Sequence, residues 1–323
     1  MTNIYDTIIL GGGVGGLTAA IYTGRDAIKT LIIEGELVSN TELPGGALML
    51  TESIENFPGY SGTGEGLIEI LRSQVDALEH VERAEGLAVS LAFLENGLVE
   101  VAYSEYGDEP NTVLGKTVLI ATGAVSRKLG VPGEDEFYGR GVSTCATCDG
   151  AFYKDKVVGV VGGGDTAVED ALYLTRHAKQ VKVFVRSDAL RTNSPEARAL
   201  LARDDVEMIW NTSIASINGE GTVTSVTVKT ADRLSEVSID GLFVAIGRDP
   251  NTAFLSGSGL KIEGGYLSTT PNSSCITEEG VVLANVFAVG DVADAKYVQA
   301  ITAAGDATKA ALSIRDYLAS QSH

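Results

Sequence analysis

Apolar residues in this chain gather in short runs that end on glycine. Tyr5 to Leu10 is one such run, of strand character, and it stops at Gly11, Gly12, Gly13, Val14, Gly15 and Gly16. Leu17 to Arg25 then carries helical spacing, and Thr30 to Ile33 reads as a second strand closed by Glu34. The same order recurs later. Lys156 to Val161 is a strand, Gly162, Gly163, Gly164, Asp165, Thr166 and Ala167 form a turn, Val168 to His177 is helical, and Gln180 to Val185 is a strand. Two more apolar runs end alike, Thr117 to Gly123 and Leu242 to Gly247, and each reads as a strand leaving one domain for the other. The pattern predicts an α/β protein of two Rossmann-like dinucleotide-binding domains, the second inserted into the first. The first would be discontinuous, residues 1–119 plus 247–323, and the second would be residues 120–246.

Both turns have a chemical reading. Gly11, Gly13 and Gly16 fit G-x-G-x-x-G, where glycines allow a tight turn and let the backbone approach a pyrophosphate at a helix N-terminus. Glu34 follows at the distance at which an acidic residue meets an adenosine ribose. Gly162, Gly164 and Ala167 repeat the turn as G-x-G-x-x-A. One such turn alone is a weak signal; two, each between a strand and a helix, imply two dinucleotide sites.

Composition narrows the partners. The 323 residues carry 43 acidic and 24 basic side chains, a formal charge of -19, which repels nucleic acid and anionic lipid. Screening shortens to about 3 Å at molar salt, so a salt-rich cytoplasm suits this surface, as does the cytoplasm of an ordinary bacterium with acidic proteins. No signal peptide and no apolar run long enough to span a membrane is visible, so a cytoplasmic, membrane-free protein is expected.

Three cysteines are too few for a disulfide scaffold or a four-cysteine metal site, and no metal-ligand spacing occurs. Cys145 and Cys148 form a C-x-x-C directly before Asp149, close enough on one turn to open and close a disulfide. At a helix start the pair would favour the thiolate, and Asp149 is placed to give a proton to a leaving thiolate. Cys275 stands apart as a core or loop thiol, and Trp210 reads as core. Near the C-terminus, Asp291 tips a strand, and Gln299 and Ala300 open a final helix whose N–H groups suit an anionic ligand.

With these motifs together, the chain resembles the low-molecular-weight thioredoxin reductases over nearly its whole length. The resemblance is carried by GGGVGGLTAA at the start, GGAL and ENFPG within 45–59, CATCDGAFYK at 145–154, GGGDTAVEDALYL at 162–174, AIGRDPNT at 245–252, and FAVGDVAD with QAITAAG within 287–305. It implies FAD in the discontinuous domain, held by Gly11, Gly13, Gly16, Glu34, Gly46, Asn56, Thr122, Gly123, Asp291, Gln299 and Ala300. It also implies a pyridine-nucleotide domain carrying the disulfide, a homodimer, and thioredoxin as the disulfide substrate. By position, Cys148 is the thiol facing the flavin, Cys145 exchanges with thioredoxin, and Asp149 is the acid.

The chain departs from that family in three places. NADPH-using members have a His-Arg-Arg cluster and a further Arg after the second-domain strand, gripping the 2'-phosphate. Here Val185, Arg186, Ser187 and then Arg191 stand in those positions, so Arg186 and Arg191 remain for NADPH or NADH. Tyr297, Val298 and Gln299 replace the usual Tyr-Arg-Gln, and Ala47 replaces a Gln beside the flavin. Three rivals share these features: a dithiol oxidase passing electrons to oxygen, a reductase with a non-nicotinamide donor, and a flavin-loaded redox sensor. Because donor site and disulfide lie on one domain and both must reach one flavin, rotation about passages near Gly123 and Gly247 is expected.

Overall fold

The computed structural model describes residues 3–37, 43–51 and 53–321. The chain divides into two compact units, Met1–Val125 with Asp249–His323, and Ser126–Arg248. It stays in the first unit past the strand Asn111–Ile120, because Gly123 turns with φ +69° into a short strand, Ala124–Ser126. That strand pairs with Arg248–Pro250, so the outgoing and returning passages run side by side as a two-stranded ribbon.

Among the described residues, the first unit is built on an eight-stranded sheet. Its parallel core runs Val282–Ala288, Asn111–Ile120, Ile4–Leu10, Thr30–Ile33 and Val81–Ala84. The register Thr7 to Thr30 through Leu10 to Ile33 brings the ends of the first two strands level, where the glycine turn begins. Successive residues alternate between two buried faces, which is why the strands read as continuous apolar runs. Ile9, Ile32, Leu119 and Phe287 meet the helices Val14–Arg25, Gly64–Asp76 and Ala300–Ser320. Ile8, Leu10, Leu31, Ile33, Val118 and Ile120 pack with Val99, Val101 and Cys275 on the other side. Cys275 is a free thiol, as its isolation in the sequence predicts; of core and loop the structure gives core, with no exposed surface, and burial pushes it up to about 12.

In the second unit, five parallel strands among the described residues follow the order Val142–Ser143, Gly241–Val244, Val157–Val161, Gln180–Phe184, Val206–Ile209. One face packs on the helices Asp165–Leu174 and Pro195–Leu201 through Val158, Val160, Val181, Val183 and Phe243, with Trp210 half-buried against the same core. The opposite face is covered by an antiparallel sheet of Thr212–Glu220, Thr222–Thr230 and Arg233–Ser238, through Ile214, Val226 and Val228. The apolar runs do not announce that sheet, because its strands alternate and expose one side. No helix among the described residues is long and apolar enough to cross a membrane.

Both turn helices begin earlier than their apolar periodicity suggests. The first starts at Val14 rather than Leu17, and the second spans Asp165–Leu174 rather than Val168–His177. Glycine and aspartate positions in the opening turns carry no apolar signal, yet they complete the helix geometrically. Gly16 sets this packing: a Cβ there would lie 1.8 Å from the Gly11 carbonyl oxygen. Replacing Gly16 by Ala should therefore destabilise the first unit by roughly 3 kcal/mol or more, read as a fall in the denaturant midpoint at unchanged slope.

Candidate functional site

Three chain segments meet the first glycine turn. Gly11, with φ +113°, presses on the segment after the strand Asn111–Ile120, where an added Cβ would lie 2.3 Å from the Ala121 carbonyl oxygen. Gly45 and Gly46, with φ of +109° and +76°, face Gly13: an added Cβ on Gly46 would be 3.9 Å from the Gly13 Cα. Gly13 itself is different from its neighbours. A Cβ there would meet only the Gly45 carbonyl oxygen, at 3.6 Å, which is ordinary contact. Two glycine-only backbone segments thus face each other without any packing reason at Gly13, and they leave room for a group that approaches the main chain closely.

The C-terminal part of the chain closes on the same turn. A Cβ on Gly15 would reach Val289 at 3.4 Å and the Ala303 carbonyl at 3.7 Å. Asp291 sits on the short helix Gly290–Val292, next to that contact. Gln299 caps the long helix beginning at Ala300, in a reciprocal box with Thr302. The Asn56 amide donates to Gln299 Oε1 at 3.2 Å, joining the ENFPG segment to that helix start. Thr122 and Gly123 are pinned by Asn251, which donates from its side chain to the Thr122 carbonyl at 2.8 Å and from its backbone to the Gly123 carbonyl at 3.0 Å. Asn251 was not singled out from the sequence, since only the fold brings the AIGRDPNT segment to that strand end.

Glu34 lies against the turn, where a Cβ on Gly12 would come within 2.6 Å of the Glu34 Cβ. Its carboxylate is buried and already engaged: Arg72 Nε donates at 2.9 Å and Arg83 Nε bonds the other oxygen. Each carboxylate oxygen has a second lone pair, so a ribose hydroxyl can still donate there. Arg72 and Arg83 stand 38 and 49 residues from Glu34, and no local spacing marks them.

The second unit repeats the turn with a guanidinium beside it. A Cβ on Gly162 would lie 2.3 Å from the Ala245 carbonyl oxygen and 2.7 Å from the Ala167 Cβ. Near Gly164 the closest group is the Arg191 guanidinium, 3.4 Å from where a Cβ would sit. The Arg191 backbone donates to the Gly163 carbonyl at 2.7 Å, which fixes it there. Arg186 follows the strand Gln180–Phe184 and is exposed, as is Arg191. Gly162, Gly164, Ala167 and Arg191 are therefore gathered at one turn, with Arg186 close by in sequence at the strand's end.

Cys145 and Cys148 are joined as a disulfide, with Cα atoms 5.3 Å apart. Cys145 is the N-cap of a four-residue helix, Ala146–Asp149, and its sulfur accepts from the Cys148 N–H at 3.2 Å. So short a helix has little macrodipole; that N–H, with the Thr147 hydroxyl 3.5 Å from the same sulfur, is placed to stabilise a thiolate. Ser143, buried at the end of its strand, accepts from the Cys145 N–H at 3.0 Å. Burial pushes the Asp149 carboxyl above the ordinary carboxylate range, with a hydrogen bond from Ser143 pulling the other way. A raised carboxyl holds its proton to higher pH, as a proton donor must.

If Gly13 is kept free for a ligand, Gly13→Ala should keep the unfolding free energy within about 1 kcal/mol, since its φ of -77° suits alanine, while flavin is lost on purification. Absorbance at 450 nm against protein, alongside a denaturant melt, checks both halves.

The sequence profile of the pyridine nucleotide-disulphide oxidoreductases matches residues 5–307. A thioredoxin reductase from Dictyostelium discoideum is 38% identical over 323 residues, covering 98% of each chain. One from Streptomyces clavuligerus is 39% identical over 324 residues, covering 99% of this chain and 95% of that one. The crystal structure of thioredoxin reductase from Streptococcus pyogenes superposes with a TM-score of 0.89 at 34% identity, over 99% of this chain and 100% of that one. With its two glycine turns and its C-x-x-C disulfide, the chain belongs to the pyridine nucleotide-disulphide oxidoreductase family and, within it, to the low-molecular-weight thioredoxin reductases.

Proposed function

We propose that this chain is an FAD-dependent thioredoxin reductase whose working group is the Cys145–Cys148 disulfide. The observation that carries the reading is that disulfide, capped on a short helix beside the half-buried acid Asp149, in a unit with its own dinucleotide turn. Bound FAD supplies two-electron transfer between a nicotinamide and a disulfide. The residues that would hold it are Gly11, Gly13, Gly16, Glu34, Gly46, Asn56, Thr122, Gly123, Asp291, Gln299 and Ala300, and the first unit is read as its domain. Gly162, Gly164, Ala167, Arg186 and Arg191 would hold the nicotinamide donor in the second.

The protein's own chemistry follows from the dithiol. Two electrons and two protons reduce the disulfide to two thiols, and Cys145 reacts after losing its proton. The Cys145 thiolate attacks one sulfur of the thioredoxin disulfide, forming a mixed disulfide and expelling a thioredoxin thiolate. Cys148 then attacks Cys145 Sγ, which restores the intramolecular disulfide and releases the second thiolate of reduced thioredoxin. Asp149 gives a proton to the thiolate that leaves. The family resemblance and the acidic, membrane-free sequence support a cytoplasmic homodimer.

The thinned cluster at Val185–Arg191 leaves the donor to be decided. A charge-assisted hydrogen bond contributes roughly 1.5–3 kcal/mol, so losing one or two lowers NADPH affinity by one to several decades and leaves NADH untouched. Weak preference between the two nucleotides is expected, with a KM for NADPH above that of relatives carrying the full cluster. Anaerobic titration of the yellow protein with NADPH, then NADH, then dithiothreitol reads the donor from flavin bleaching. Bleaching by dithiothreitol alone would instead support an oxidase or another donor, and tight NADPH selectivity would show that Arg186 and Arg191 suffice.

The thiols are assigned by substitution. Cys145→Ser should retain a long-wavelength absorption band from the Cys148 thiolate beside the flavin, and Cys148→Ser should lack it. A band that persists only in Cys148→Ser reverses the roles.

A further inference from the structure

We infer that Arg248 is a positioning residue for the dithiol turn. Its backbone opens the strand Arg248–Pro250, which pairs with Ala124–Ser126 to form the passage ribbon. Its guanidinium reaches from there to the Thr144 carbonyl, donating at 3.2 Å over a sequence gap of 104 residues. The Thr144 carbonyl belongs to the peptide that enters Cys145. That peptide is held on its other side by the Cys145 N–H bond to Ser143, and the Thr144 hydroxyl bonds Tyr138 at 3.1 Å.

The purpose of holding this peptide lies one residue on. Cys145 has extended backbone, φ -138° and ψ 96°, and only in that conformation does its sulfur cap the helix and accept the Cys148 N–H. An N–H aimed at sulfur stabilises the thiolate. Arg248 thus fixes the conformation on which Cys145 reactivity depends. Asp170, half-buried on the helix that leaves the glycine turn, is near enough to feel the Arg248 charge. Burial pushes that carboxyl up to about 6 and the Arg248 charge pulls it down. The passage ribbon and the dithiol turn therefore meet at one side chain.

The inference rests on the redox role of the pair, but its test uses neither nucleotide nor thioredoxin, so the two can fail separately. Full-length flavin-loaded protein and its Arg248→Gln and Arg248→Lys variants are reduced with dithiothreitol, freed of reductant anaerobically and alkylated with iodoacetamide at one pH. Tandem mass spectrometry follows the rate at Cys145, and thermal midpoints are taken in parallel. Arg248→Gln keeps a stem and a donor but loses the charge and reach; its Cys145 should label about tenfold more slowly. Arg248→Lys, which keeps a charged donor, should label within about threefold of the parent. Labelling of the Gln variant within twofold of the parent, or a Lys variant as slow as Gln, overturns the inference. So does a collapse of the thermal midpoint in both, which would make Arg248 a general support of the unit.

Discussion

The fold hangs on a contact that only glycine permits. The first helix enters so close to its strand that the Gly16 Cα lies over the Gly11 carbonyl oxygen, with no space for a methyl group. That approach turns the free N–H groups of the helix start toward the level ends of the parallel strands, where Gly13 and the Gly45–Gly46 backbone face one another. The second unit reaches the same arrangement with one substitution of means. Ala167 stands where the first unit has Gly16, while Gly162 lies against the Ala245 carbonyl as Gly11 lies against that of Ala121. Both nucleotide turns are therefore consequences of backbone packing before they are binding sites.

Charge is arranged on two scales. The surface excess of carboxylates is diffuse and screened by salt. The carboxyls set into the two units are held in different ways. Glu34 is held by two arginines, so an acid at the end of the second strand is paired at little exposure. Asp149 and Asp170 follow the opposite course, with burial favouring the protonated form, and both lie in the unit that carries the disulfide. Carboxyls that release and take up protons nearer neutrality suit a unit whose thiols gain and lose protons in each cycle.

The dithiol is ordered by backbone more than by side chains. One N–H from Cys148 addresses the Cys145 sulfur, Ser143 takes the Cys145 N–H, and Arg248 takes the Thr144 carbonyl. A turn fixed at consecutive peptide groups can break and remake its disulfide with little conformational entropy to lose or regain.

What was legible in the sequence is what local spacing encodes. Gly11, Gly13, Gly16 and their copies at Gly162 and Gly164 declared two strand-turn-helix units because steric limits on the backbone act within a few residues. Cys145 and Cys148 declared a redox turn for the same reason, and the isolation of Cys275 marked it as a free thiol without saying whether core or loop held it. The helices start at Val14 and Asp165, three residues before their apolar periods, since their first turns carry no such period. The tertiary structure alone decided the rest. Arg72 and Arg83 on Glu34, Asn251 on Thr122 and Gly123, the antiparallel sheet over the second unit, and Arg248 on Thr144 all join residues far apart in sequence. Such pairs are selected by where strands and helices pack, and a side chain's own neighbours in the chain carry no trace of that choice.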